Sequence, residues 1–228
     1  MNIPERARRQ SMVLKAVVIL AAAVGVLRSA FSGSDAFMGG VHVFMFFTIQ
    51  SNILIALVCA AGFVFLVQRR SVSDRWYRIK FVSTVSITLT GVVFCFVLAP
   101  TLGENAWGLA NVLTHVVVPL AAVLDFFVTG RYGNLSKHDV IWVTVPPLLY
   151  VIYAGIGYLA GWEFLEGTNY PYFFLNWGSP AGAFGFTNEL PFMGVVWWIL
   201  LLLAFLIAVA HLYLWILDRL KQTGVAVN

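Results

Sequence analysis

Long apolar runs alternate with short polar segments along the whole chain. A membrane-spanning helix needs about 20 mostly apolar residues, and six stretches reach that length. They are Met12 to Phe31, Val41 to Val67, Ile79 to Pro100, Ala106 to Val128, Val140 to Ala160 and Leu190 to Leu217. A transmembrane β-barrel would instead show short segments of alternating polarity. The pattern predicts an all-α membrane protein: one polytopic domain over residues 1–228, built as a bundle of six transmembrane helices.

The composition agrees with this pattern. Hydrophobic residues make up 61% of the chain and charged residues 11%, whereas soluble domains carry about 25% charged residues. A soluble, disordered or disulfide-stapled secreted domain is therefore excluded. Cys59 and Cys95 both lie in apolar runs, which predicts small buried packing residues rather than a disulfide. The first run could be a signal peptide, but it is long and lacks a clean cleavage site.

Positive charge is concentrated in alternate loops, and Arg28, near the far end of the first span, is the only basic residue on the other side. The tails, the second loop and the fourth loop hold nearly all of it: Arg6, Arg8, Arg9, Arg69, Arg70, Arg75, Arg78, Lys80, Arg131, Lys137, Arg219 and Lys221, with Lys15 just inside the first span. The positive-inside rule then places both termini in the cytoplasm. The same clusters account for the net charge of +4, so no nucleic-acid partner is needed. We expect a multi-pass integral membrane protein.

The fifth loop, residues 161–189, is long and rich in aromatic residues. It has poor helical periodicity and is interrupted by Gly and Pro. One interpretation is an aromatic belt that anchors the bundle at the membrane surface. The other is a lid or lateral gate over a cavity in the outer leaflet. Tyr172 and Trp177 of this loop, together with Gln50 of the second span, are candidate substrate contacts.

Polar residues inside the spans are few, and two pairs have helical spacing. Thr48 and Asn52 are four residues apart in the second span, and Asn111 and His115 are four apart in the fourth. If both spans are helical from their outer ends, Thr48 lies about 10 Å deep and His115 about 13 Å deep. The two residues are then predicted to occupy the same leaflet at nearly the same depth.

A hydroxyl beside an imidazole is the arrangement of nucleophile and base used in acyl transfer. Thr48 and His115 are therefore the candidate catalytic residues, and Asn52, Asn111 and Ser51 are candidates to orient the imidazole or bind an oxyanion. Each residue also has a simpler interpretation. The Thr48 hydroxyl could bond its own backbone, and the asparagines could hold neighbouring helices together.

The other polar residues in the spans indicate a functional role less clearly. Asp125 and His211 could pair or relay a proton, although the position of Asp125 near the inner end of its span favours contact with solvent or an arginine. Two histidines at one depth, as a haem would require, are absent from the sequence pattern, and so is a cluster of zinc ligands. No glycine-rich phosphate loop is present either. We therefore expect no metal and no cofactor.

Three short runs resemble a known family: Phe46 to Asn52, Leu113 to Leu120, and Tyr170 to Phe174. They look like bacterial "predicted six-transmembrane" membrane proteins. That group is similar to the eukaryotic androgen-induced protein and androgen-dependent TFPI-regulating protein family. The resemblance covers the whole chain in the number and order of spans. It implies intramembrane hydrolysis of fatty acid esters of hydroxy fatty acids, with Thr48 and His115 at the positions of the Thr nucleophile and the His.

The sequence thus leads to two functional hypotheses. The first is a lipid-ester hydrolase that binds a fatty-acyl substrate from the bilayer, with Thr48 as nucleophile and His115 as base. The second is a non-enzymatic transporter or lipid-binding protein whose polar residues line a substrate path. The two hypotheses differ in the expected geometry: a closed apolar pocket favours the hydrolase, and a continuous polar path between the two faces favours transport.

Overall fold

The computed structural model describes residues 3–31 and 40–225. Within these ranges the fold is helical, and six helices are long and apolar enough to cross a membrane. They are α1 (Glu5–Ala30), α2 (Phe47–Val67), α3 (Asp74–Leu102), α4 (Leu109–Gly130), α5 (Lys137–Leu159) and α6 (Val195–Thr223). The predicted number and order of spans is confirmed, and the chain is a multi-pass α-helical membrane protein.

The second helix starts later than its apolar run. Val41–Met45 forms a separate 3₁₀ turn, Phe46 is extended, and α2 begins at Phe47. Thr48 is therefore the second residue of α2 and does not lie two turns inside a helix. Hydropathy does not mark this boundary, because the residues of the turn are as apolar as the helix that follows.

Two wide helical turns interrupt the regular helices, one near the end of α3 and one near the start of α4. Each is π-helical, over Phe94–Leu98 in α3 and Leu113–Val117 in α4. Each stands two residues before a proline, Pro100 or Pro119. Proline lacks the N–H of a regular turn, and its ring crowds the carbonyl four residues back. A π turn relieves that crowding and leaves carbonyls available to other donors, which is why such turns are frequent at functional sites.

Small residues allow close packing of α1 on its neighbours. Ala21, Ala22 and Gly25 of α1 are buried, and α1 packs against both α2 and α4. A Cβ atom at Gly25 would lie 2.7 Å from the Thr114 Cγ2 atom of α4. Helices in membranes commonly associate through such small side chains, because the backbones can then approach closely.

One end of the bundle collects the basic segments. The Arg8 guanidinium near the start of α1 donates to the Leu66 carbonyl at the end of α2 (3.2 Å). Lys221 near the end of α6 donates to the Gly133 carbonyl after α4 (3.0 Å). These contacts place the start of α1, the α2–α3 turn, the α4–α5 turn and the end of α6 together, and we call this region the basic end.

The opposite end is built from the loops between α1 and α2 and between α5 and α6. There His42 Nδ1 lies 2.7 Å from the Glu163 carbonyl oxygen, and the Tyr150 hydroxyl donates to the Met45 carbonyl (3.1 Å). We call it the aromatic end. The loop 161–189 folds into the bundle here and does not lie only on its surface, since Phe164, Phe174 and Leu175 are all buried.

Candidate functional site

Thr48 lies at the start of α2, where a helix leaves backbone N–H groups without intrahelical partners. Its side chain is buried. The Tyr172 hydroxyl, from the loop of the aromatic end, lies 3.3 Å from the Thr48 backbone nitrogen and 3.4 Å from its Oγ1 atom. Tyr172 therefore accepts from the first turn of α2 and at the same time touches the candidate nucleophile.

Aromatic contacts fix the position of Tyr172. Its ring meets Phe46 edge-on at 5.7 Å and stacks on Phe174 at 5.1 Å, with the two planes 8° apart. Burial raises the pKa of the Tyr172 phenol above its usual value. The phenol therefore stays protonated at neutral pH and keeps a hydrogen that it can donate.

Asn52 connects α2 with α4 one turn below Thr48. Its amide nitrogen donates to the Thr48 carbonyl at 2.8 Å and to the Thr114 carbonyl at 3.1 Å. Both amide hydrogens are therefore used. The Asn52 Oδ1 atom is buried and has no hydrogen-bond partner among the described residues. An unpaired buried acceptor costs free energy, and such atoms in a native protein call for a functional explanation.

The wide turn of α4 makes the bond to Asn52 possible. In a regular helix the Val118 N–H would pair with the Thr114 carbonyl, but here it donates to the Leu113 carbonyl, one residue further back. The Thr114 carbonyl is thereby released and accepts from Asn52. Pro119 follows this turn. From the sequence alone this proline predicts a kink in the helix, but not a π-helical turn or the bond to Asn52.

His115 follows Thr114 directly and is buried. Its Nδ1 atom lies 3.0 Å from the Asn111 carbonyl oxygen and 3.0 Å from Thr114 Oγ1. A carbonyl can only accept, so Nδ1 carries the proton and Nε2 keeps its lone pair. Nε2 is buried and has no hydrogen-bond partner in the described part of the chain. The ring stacks on Phe94 at 3.7 Å, so the wide turns of α3 and α4 meet at the candidate base.

The described contacts include no hydrogen bond between the Thr48 hydroxyl and the His115 imidazole, and only the backbones that carry the two residues are connected. The link between them is Asn52, which reaches the backbone of Thr48 and the residue before His115 with one amide group. Asn111 orients the imidazole through its backbone carbonyl, while its side-chain amide donates to the Ala106 carbonyl at 3.0 Å.

A cavity containing about 630 Å³ of empty space, part of it open to the surroundings, lies beside Thr48. Most of its wall is aliphatic and aromatic, and it is formed by α2, α3, α5, α6 and the loop 161–189. Its polar lining residues are Thr48, Thr90, Tyr150 and Tyr172. His115 is not part of the wall. The site has the character of ligand pockets in general, which are mainly apolar with a few polar groups that fix orientation.

The structure places the three further sequence candidates outside the wall of this cavity. The Ser51 hydroxyl donates to the Thr48 carbonyl at 3.0 Å and lies 2.7 Å from Thr90 Oγ1. Gln50 is exposed, and its amide donates to the Phe44 carbonyl at 3.1 Å. Ser51 and Gln50 both line a second groove, next to α5. Trp177 is half-buried and packs against the core outside these two cavities.

Sequence reasoning missed two residues of the cavity. Thr90 belongs to a series of Ser and Thr residues in α3 that predicts only packing, and Tyr150 lies in an apolar run with no polar neighbour to single it out. Their contacts with Ser51 and Met45 depend on tertiary structure. Spacing along a single chain therefore could not reveal them.

Asp125 has other partners than the sequence suggested. It is fully buried and pairs with Lys15 and Lys80, while His211 is exposed and bonds the Ile207 carbonyl of its own helix at 2.8 Å. The expected pair of Asp125 with His211, and the alternative of a solvated or arginine-paired Asp125, were both wrong. Lys15 and Lys80 were counted among the basic residues of the tails and loops, but both side chains lie inside the bundle.

The fold and this interior site define a polytopic α-helical membrane protein with a polar centre and an apolar cavity near one end. Comparisons of the chain with protein-family models, with curated proteins and with solved structures find no match.

Proposed function

We propose that the protein is an intramembrane hydrolase of lipid esters, with Thr48 as nucleophile and His115 as general base. One observation carries the proposal: Thr48 lies in the wall of a mainly apolar cavity, and Asn52 connects its backbone to the turn of α4 that carries His115, whose Nε2 atom has no hydrogen-bond partner among the described residues. The cavity offers an acyl chain an apolar surface and presents a hydroxyl to its ester group. The resemblance to membrane threonine hydrolases points to fatty acid esters of hydroxy fatty acids, or similar lipids, as the substrate class.

In the first step Thr48 Oγ1 attacks the ester carbonyl carbon, and His115 Nε2 takes the threonine proton. This transfer requires the two side chains to approach within hydrogen-bond distance, or to be connected through one water. The imidazolium then returns the proton to the leaving alkoxide, which departs as an alcohol. In the second step His115 removes a proton from water, the hydroxide attacks the acyl-threonine, and a free fatty acid leaves as Thr48 regains its proton.

We assign the oxyanion to the Tyr172 hydroxyl and not to an asparagine. Both amide hydrogens of Asn52 donate to backbone carbonyls, and the Asn111 amide bonds Ala106. The Tyr172 phenol stays protonated at neutral pH because its pKa is raised, and it lies against Thr48 already. Preorganised donors of this kind are among the largest contributors to acyl-transfer catalysis. Asn52 and Ser51 act as positioning residues for the first turn of α2.

Transport is the second candidate function, and the packing of α4 argues against it. Between His115 and Asp125 this helix buries Val118, Ala121 and Ala122 against an apolar cluster of α1, α2 and α3. A transport path through these residues would need polar groups at the same level. Along α4 the polar groups of the two ends are separated by apolar side chains, whereas α3 carries buried hydroxyls at Ser83, Thr84, Ser86 and Thr90. The apolar layer of α4 favours a pocket closed on that side.

Labelling with a fluorophosphonate probe tests the nucleophile. The matched control is Thr90→Ala, because Thr90 is also a buried threonine in the wall of the same cavity. We expect the probe to label the wild type and Thr90→Ala equally and to leave Thr48→Ala unlabelled. His115→Asn should slow labelling by about 10²-fold or more. Equal labelling of Thr48→Ala and wild type would remove the nucleophile assignment.

We further propose that the basic end faces the cytoplasm of a bacterial plasma membrane and that the aromatic end faces outward. The support is the positive-inside rule, applied to the arginines and lysines of the α1 start, the α2–α3 turn and the α6 end. In this orientation Thr48, Tyr172 and the cavity lie in the outer leaflet, from which a lipid ester enters.

A further inference from the structure

A buried cluster of three charged side chains lies near the basic end, far from the cavity. Lys15 of α1, Lys80 of α3 and Asp125 of α4 are all nearly inaccessible, with side-chain exposures of 4%, 4% and 0%. Lys80 Nζ lies 2.7 Å from Asp125 Oδ2, Lys15 forms an ion pair with the same oxygen, and the Ser11 hydroxyl donates to Asp125 Oδ1.

The cluster holds two lysines and one carboxylate. Lys15 and Lys80 share Asp125, and none of the other described Asp and Glu side chains pairs with either lysine. Charged groups within membrane spans pair with one another or mark binding pathways. The second lysine therefore lacks an acidic partner among the described residues, and a bound anion would supply one.

Lys15 is the lysine with free hydrogen-bonding capacity. The three hydrogens of Lys80 are taken by Asp125 Oδ2, by the Asp125 carbonyl at 3.0 Å and by Thr129 Oγ1. Asp125 is the only hydrogen-bond acceptor that Lys15 has among the described residues, so two of its three hydrogens remain. The Lys15 side chain packs against Gly62 of α2, where a larger residue would collide with it: a Cβ atom at Gly62 would lie 2.8 Å from the Lys15 Cε atom.

A cleft leads from the basic end to these lysines. The cleft is narrow, and its empty space of about 350 Å³ includes open solvent at its mouth. Lys15, Lys80, Arg70 and Trp76 are among its lining residues. Arg70 is exposed and pairs with no carboxylate of the described residues. The neighbouring Arg8 and Arg69 differ from it, because both pair with Glu5. The cleft thus has the unpaired guanidinium of Arg70 near its opening. At its inner end it has the ammonium group of Lys15, two of whose hydrogens have no acceptor among the described residues.

We propose that this cleft binds an anionic phosphate group, with Lys15 and Arg70 as its two donors. Phosphate accepts several hydrogen bonds and is held well by guanidinium and ammonium groups, and it would supply the acidic partner that the second lysine lacks. Basic pockets between helices at the cytoplasmic membrane surface bind anionic lipid headgroups. A soluble phosphate compound would present the same chemistry. The proposal is independent of the hydrolase function, because the cleft and the cavity lie at opposite ends of α2.

The test is ligand-dependent thermal unfolding of the full chain purified in neutral detergent. The probes are inorganic phosphate, short-chain phosphatidylglycerol, and short-chain phosphatidylcholine as a headgroup with no net charge. We expect phosphatidylglycerol, or both phosphatidylglycerol and phosphate, to raise the unfolding temperature, and phosphatidylcholine to leave it unchanged. Stabilisation by phosphatidylglycerol alone identifies a lipid headgroup as the ligand, and stabilisation by both probes identifies a phosphate group that needs no acyl chain.

Two arginine variants separate the cleft from general surface charge. Arg70→Gln should weaken binding of the active probe on the order of tenfold or more, whereas Arg75→Gln should not. Arg75 is an exposed arginine of the same end that does not line the cleft. Lys15→Gln, which leaves one lysine against one carboxylate, should also abolish the stabilisation. The proposal is overturned if neither phosphate nor phosphatidylglycerol stabilises the wild type, or if Arg75→Gln weakens binding as much as Arg70→Gln.

Discussion

Replacing Gly91 by alanine probes the packing beside the candidate base. Gly91 lies in α3, and a Cβ atom built there would be 2.9 Å from the His115 carbonyl oxygen and 3.1 Å from two ring carbons of Pro119. These neighbours are a backbone atom and a rigid ring, so neither can rotate away. The helices must therefore separate slightly at the point where their wide turns meet.

The size of the effect follows from two opposing terms. Overpacking of a tight interior typically costs about 1–3 kcal/mol, whereas alanine in place of glycine favours a helix by up to about 1 kcal/mol. Gly155→Ala provides the reference. Gly155 also lies inside a helix, α5, and a Cβ atom there would meet no heavy atom within 4 Å. The helix term is common to both variants, so their difference in stability, about 1–3 kcal/mol, measures the clash.

Unfolding of the full chain by sodium dodecyl sulfate in mixed micelles, followed by circular dichroism, measures this difference. We expect Gly155→Ala to unfold at the same or a higher detergent fraction than the wild type, and Gly91→Ala at a clearly lower one. If the two alanine variants were equally stable, the close approach of α3 to the His115 carbonyl would not be a constraint on the fold. The explanation of the wide turns as a packed pair would then fail.

Two other predictions concern the basic end. Asp125→Asn leaves Lys15 and Lys80 without their common carboxylate and should destabilise the protein by about 3–5 kcal/mol. The control Asp218→Asn, at an exposed aspartate of α6, should change stability by less than about 0.5 kcal/mol. Equal effects of the two variants in the same unfolding assay would contradict the charged cluster. The second prediction is that the C-terminus lies in the cytoplasm. A green fluorescent protein fused after residue 228 should then fluoresce in bacterial cells, because that protein matures in the cytoplasm and not when exported by the Sec pathway. A fusion that inserts correctly but does not fluoresce would mean that the basic end faces away from the cytoplasm.

The helices were predictable because a span requires a continuous apolar run, and such runs can be read from one sequence. Their ends were less predictable. The 3₁₀ turn before Phe47 is as apolar as α2, so hydropathy cannot separate the two. The depth estimate that brought Thr48 and His115 together assumed a helix from Val41 onward. Asn52 nevertheless connects the backbone of Thr48 with that of Thr114, the residue before His115.

The roles of single side chains depended on contacts that spacing does not encode. Tyr172 lies 124 residues from Thr48 in sequence, and only the folded loop brings its hydroxyl to the start of α2. Lys15 and Lys80 appeared at the borders of their spans, where lysine usually extends toward the membrane surface. Both side chains instead lie in the interior and pair with Asp125. The buried carboxylate needs a cation as its partner, and membrane hydrocarbon cannot supply one.

The apolar layer of α4 has a consequence for proton transfer. His115 and Asp125 are ten residues apart, about 15 Å along the helix axis, and the side chains between them at Val118, Ala121 and Ala122 offer no hydrogen-bonding groups. A proton cannot hop along α4 across such a gap. This helix therefore gives His115 and Asp125 no proton path between them, and any coupling between the two centres would have to use another helix.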